Sequence, residues 1–108
     1  MNSYSVRCLF LWERRPDQLL EHLYEERITV WQAQSIDQAI LFAEKEAKTY
    51  VADSDMQFLG LSQGFALFES IAASGVEVFS LLRESSLAPT EYIDAFFETG
   101  HERQADDA

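Results

Sequence analysis

The chain has 108 residues, enough for one domain with a core of its own. With 47% hydrophobic and 13% aromatic residues, it carries too much apolar material for a disordered chain. Nineteen acidic residues against eight basic ones give a net charge of −11, a field that repels phosphate backbones and anionic bilayers, so neither nucleic acid nor membrane is an expected partner.

A lone cysteine, Cys8, permits no internal disulfide, and its place in an alternating apolar run suits a buried thiol. Arg7 and Glu13 interrupt the apolar stretch near the N-terminus, so no signal peptide is read there. The longest uncharged segment, residues 56–68, is too short to cross a bilayer, and a cytoplasmic protein is the expectation.

Residues 4–13 (YSVRCLFLWE) form the first predicted strand. Tyr4, Val6, Cys8, Phe10 and Trp12 fall on one face, and Arg7, Leu9 and Leu11 on the other. The Arg14-Arg15-Pro16-Asp17 run signals a turn. Residues 23–33 (LYEERITVWQA) are rich in β-branched and aromatic side chains and predict a second strand, paired antiparallel with the first. Here Tyr24, Glu26, Ile28 and Val30 share one face, and Glu25, Arg27, Thr29 and Trp31 share the other.

Ser35 and Gln38 have capping-box spacing, and the apolar positions behind them recur at helical intervals, predicting a helix over 36–51. A third strand is expected over 57–69, with Gly60 and Gly64 marking a bulge or bend. A fourth is expected over 76–83. Residues 90–98 predict a short helix in which Tyr92 meets Phe96 and Ile93 meets Phe97. The alanine before Pro89 stands where a capping side chain would be expected and weakens that helix. The order β-β-α-β-β-α predicts an α+β domain over 1–100, with a flexible acidic tail over 101–108. Its two layers are a four-stranded, mostly antiparallel sheet in the order 2-1-3-4 and two helices on one face.

That arrangement leaves the other sheet face, with its large apolar side chains, in water. A homodimer or another protein partner is therefore expected to cover it.

No catalytic, metal or cofactor signature is found. Two histidines, His22 and His101, and one cysteine fall short of a zinc ligand set unless carboxylates join them. Catalysis by His22 with Glu21 or Glu25 would lack a nucleophile. Trp12, Tyr24, Glu25, Arg27 and Trp31 are the candidate binding or interface residues. Adjacent carboxylates on a strand point to opposite faces, so Glu25 and Glu26 cannot act together on one substrate. The bland reading of Glu25 and Arg27 is a solvated surface pair worth less than about 1 kcal/mol. The functional reading sets the Arg27 fork against a carboxylate of a partner or ligand. Trp12 and Trp31 suit core and interface alike, and their places near strand ends suggest a shared cluster.

The strings SVRCLFLWE, YEERITVWQAQSIDQAILFAEKEAKTY, FLGLSQGFALFE, VEVFSLLRES and PTEYIDAFF, in that order, resemble a small bacterial family, domain of unknown function 4288. The resemblance spans about residues 4–100 and is most specific in YEERI and the helix after it. It implies a bacterial stand-alone domain and transfers no activity and no catalytic residue. The functional expectation is a non-enzymatic interaction module, probed first as a homodimer. Two alternatives stand beside it: a small-ligand binder or minor enzyme with a pocket near Trp12, Trp31, Glu25 and Arg27, and an acidic antitoxin or immunity-type inhibitor.

Overall fold

Alternation of apolar and polar side chains sets two long strands, β1 (Asn2–Trp12) and β2 (His22–Ala33), which pair antiparallel from Asn2↔Ala33 to Trp12↔Leu23. The computed structural model describes residues 2–67, 69, 74–97 and 102–104. Helix α1 (Ile36–Val51) begins where the capping box predicts: Ser35 Oγ accepts the Gln38 N–H at 3.1 Å. Gln38 Oε1 reaches back to the Gln34 N–H, one residue before the expected Ser35 N–H. Strand β3 (Gln57–Ala66) pairs antiparallel with the far edge of β1. Its register slips between Cys8 and Phe10, where Gly60 takes a φ of +80° that only glycine adopts freely. Phe68, expected near the end of this strand, lies outside the described residues.

Strand β4 (Val76–Ser85) departs from expectation. It pairs with β2, not β3, so the four long strands run β4-β2-β1-β3 instead of 2-1-3-4. The physical reason lies in two acidic residues of β2. Glu25 and Glu26 are both buried, and β4 brings Ser80 to the first and Arg83 to the second. The outer edge of β3 is met instead by β5 (Glu102–Gln104), three residues that composition assigns to a solvating tail. Residues 101 and 105–108 lie outside the described residues.

The helices take opposite faces, which corrects the two-layer expectation. Under α1 lie Tyr4, Val6, Cys8, Phe10, Ala33 and Phe58. The small residues Ala39, Ala43 and Ala47 let the helix settle close to the strands. A Cβ on Gly64 would stand only 3.0 Å from Ile36 Cγ1, which shows how close the approach is. Helix α2 (Pro89–Phe97) covers part of the other face. Tyr92 and Phe97 bury themselves with Leu9, Tyr24, Leu59 and Leu61, and Tyr92 stacks on Tyr24 at 4.0 Å between ring centroids. In place of a capping side chain, Glu91 Oε1 accepts the Ala88 N–H at 3.3 Å. The sheet face expected to be bare is thus shielded in part by the chain's own second helix. Among the described residues no helix is long and apolar enough to cross a membrane.

Candidate functional site

The YEERI string builds two polar networks, back to back through the sheet. On the α1 face Glu25 is only 4% exposed, and three donors converge on it. Trp12 Nε1 donates at 3.2 Å, the Tyr50 hydroxyl lies 3.1 Å from both carboxylate oxygens, and the Ser80 hydroxyl donates from β4. Burial, then the neighbouring Glu25 charge, pushes the Tyr50 phenol up to about 12. Arg27, 7% exposed, lies 3.8 Å over the Tyr50 ring and forks onto both oxygens of Glu46 at 2.5 and 3.0 Å. Its Nε donates to Glu77. Burial opposes the Arg27 charge, but the hydrogen bonds and attraction of Glu46 and Glu77 outweigh it and raise its pKa further. The solvated Glu25–Arg27 pair is therefore replaced by two buried residues, each with its own partners. The carboxylates expected from a ligand come from the chain itself.

On the α2 face Glu26, 5% exposed, collects Arg7 at 3.1 Å, Arg83 at 3.0 Å and the Tyr92 hydroxyl at 2.7 Å. Arg7 also donates to Gln63 Oε1 at 2.5 Å and lies 3.8 Å over the Phe97 ring. Burial and the bond to Glu26 raise the Tyr92 pKa. Tyr24 belongs to this face, stacked beneath Tyr92, with its hydroxyl donating to the Leu87 carbonyl at 2.7 Å.

The five candidate residues therefore do not form one site. Trp12, Glu25, Arg27 and Trp31 share the α1 face, and Tyr24 lies on the other. Trp12 pairs with Leu23 and Trp31 with Tyr4, so the two indoles lie at opposite ends of the hairpin, roughly 26 Å apart along the strands. No shared tryptophan cluster exists. Trp12 and Glu25 close into the buried network. Trp31 instead lines an open groove with Phe42, Lys45, Glu46 and Thr49 of α1. Sequence reasoning passed over Phe42, Lys45, Tyr50, Arg7, Arg83 and Tyr92. Tyr50 and Tyr92 carried a signal, since both fall on the apolar stripes of their helices.

The networks offer no catalytic pair. Cys8 Sγ lies 3.6 Å from Ser62 Oγ, but burial pushes the thiol up to about 12, so it stays protonated at neutral pH. Among the described residues no group of three or more His, Cys, Asp or Glu side chains could hold a metal ion.

Strand β4 is the most open surface of apolar character. It ends the sheet, and among the described residues no strand pairs with its outer side. Val76, Val78, Phe79 and Leu82 are 46%, 56%, 50% and 47% exposed. Beyond its C-terminal end stands the hairpin loop, with Leu19 88% exposed. That loop is pinned to the same strand, because Glu84 Oε1 accepts the N–H groups of Leu19 and Leu20 at 2.7 and 2.6 Å. Arg14 braces it from within through the carbonyls of Gln18, Leu20 and Glu21. Comparison of the chain with family models, curated proteins and solved structures gave no match in any of the three.

Proposed function

We propose that the chain is a non-enzymatic protein-interaction module that docks through the β4 edge, and that its first partner is a second copy of itself. The observation that carries the reading is the β4 edge, which no strand covers among the described residues. Ten residues of extended backbone end the sheet. Although Glu77, Arg83 and Glu84 are among them, each is engaged by the chain itself, which leaves Val76, Val78, Phe79 and Leu82 as the exposed apolar side chains of the edge. Strand addition satisfies such backbone groups and covers Val78, Phe79 and Leu82 in one step. The Leu19–Leu20 loop lengthens the surface at one end. Antiparallel pairing of two β4 strands about a two-fold axis would continue the sheet across both protomers. Kinship with domain of unknown function 4288, and with it a bacterial, cytoplasmic setting, belongs to the same proposal and rests on the strings quoted above.

Size-exclusion chromatography with light scattering tests the assembly. The wild type is expected at twice the 12.4 kDa chain mass at micromolar concentration. Val78→Lys places a charge at an already exposed edge position, and is expected to give a folded monomer. A wild type that stays at 12.4 kDa across the micromolar range removes the second copy as partner.

A further inference from the structure

The flank of α1 that faces β2 builds a small apolar groove, which shares Glu46 with the Arg27 network but includes neither Glu25 nor Glu26. Phe42, Lys45, Glu46 and Thr49 recur at three- and four-residue spacing and so share one side of the helix. With Trp31 below them they line about 290 Å³, the lower end of small-molecule sites. Its aromatic wall is built and held. The Trp31 ring lies 6.0 Å from that of Phe42, tilted by 41°. Trp31 Nε1 donates to Thr29 Oγ1 at 2.7 Å, which fixes the indole plane. Gly75 presses on the far end of the ring, where an added Cβ would stand 3.2 Å from Trp31 Cη2.

A polar inventory of the lining leaves one group uncommitted. The Trp31 N–H is used by Thr29, and both Glu46 oxygens are taken by Arg27. The Thr49 hydroxyl donates to the Lys45 carbonyl at 3.4 Å. The Lys45 ammonium has no hydrogen-bond or ion-pair partner among the described residues. Arg7, Arg15, Arg27 and Arg83 all hold carboxylates, and Arg14 holds carbonyls. In a chain of charge −11, an ammonium without a partner among the described residues, set beside an aromatic wall, is a positive spot in a negative field. Screening over about 8 Å at physiological ionic strength lets that nearest charge govern a ligand in the groove.

We propose that this groove binds a small aromatic carboxylate, with its ring against Trp31 and Phe42 and its carboxylate at the Lys45 ammonium. An aromatic cation is disfavoured by Lys45, and the carboxylate of the lining, Glu46, already has both oxygens taken by Arg27. A neutral aromatic gains the wall but leaves the ammonium unused.

Isothermal titration of the full chain with naphthoate, naphthamide and naphthylmethylammonium separates these cases. Naphthoate is expected to bind about 3- to 10-fold tighter than the amide, and the ammonium weakest. Lys45→Ala is expected to bring naphthoate down to the amide's affinity and leave the amide unchanged. Phe42→Ala is expected to weaken both. Both substituted positions are exposed, and circular dichroism confirms that each variant folds. The proposal is overturned by equal affinity for naphthoate and naphthamide, by a Lys45→Ala variant that binds naphthoate like the wild type, or by no saturable naphthoate binding at millimolar concentration.

Discussion

Replacing Glu26 by Gln probes the network that ties β1, β2, β4 and α2 together. The change keeps the shape of the side chain and removes its charge. Glu26 is 7% exposed as a side chain, and its partners Arg7 and Arg83 are 22% and 37% exposed. A fully buried pair that loses one member costs about 3–5 kcal/mol, whereas an exposed pair costs less than about 1. Arg83 stands nearer the exposed limit and can turn to water. Arg7 lies deeper, held by Gln63 and the Phe97 ring, and its Nε is already buried without a partner. Gln retains one acceptor for the Tyr92 hydroxyl. Weighing these, Glu26→Gln should lower unfolding free energy by about 2–3 kcal/mol, enough to move the melting temperature by about 10 °C. Tyr92→Phe removes one hydroxyl but keeps the stack on Tyr24, and should cost about 1 kcal/mol. Urea titration followed by circular dichroism reads both. A Glu26→Gln variant within about 0.5 kcal/mol of the wild type would refute the claim that this carboxylate holds the elements together.

The remaining expectations concern packing, capping and alkali. Gly64→Ala should cost about 1–3 kcal/mol by overpacking against Ile36, and Ile36→Ala in the same chain should recover part of the loss in the same titration. Ser35→Ala removes the acceptor of the Gln38 N–H and should cost about 1 kcal/mol, measured by thermal melting. Tyr24 and Tyr50 are both raised from 10.0 to about 12, the first chiefly by burial, the second by burial and then Glu25. The folded state therefore holds these protons more tightly than the unfolded one. The associated stability is complete below pH 10 and is lost as the pH rises toward about 12. Denaturation midpoints should hold steady from pH 7 to 9 as far as these groups are concerned and fall above 10, together with delayed tyrosinate absorbance. A midpoint unchanged up to pH 12 would contradict the assigned environments.

Local features of the fold were legible in the residues. Helix α1 carries both its start signal and its period within sixteen residues, so its bounds are read directly. Side-chain parity assigned Glu25 and Glu26 to opposite faces, because strand geometry fixes that alternation without tertiary information. What stayed hidden was long-range. Nothing near β4 in sequence states that Ser80 and Arg83 meet carboxylates of β2, so the neighbouring β3 looked like the natural partner. Burial of Glu25 and Arg27 was missed for the same reason: their partners Tyr50, Ser80, Glu46 and Glu77 stand nineteen to fifty-five residues away. For α2, the i,i+4 contact of Tyr92 with Phe96 was visible. The choice of face depends on Tyr24 and Arg7, which no local pattern names.

Two neighbouring acids that look away from each other also act as an alignment key for β2. Sliding that strand by one residue would exchange the layers. In one direction Glu26 would meet Trp12 and Tyr50 while Arg27 met the two arginines opposite, and in the other Glu25 would meet those arginines while Tyr24 took its place. Arg27 and Tyr24 would change sides along with them. The misaligned sheet would strand ions and aromatic rings on the wrong sides all along the hairpin, so one dipeptide makes the strand intolerant of the error most common to sheets.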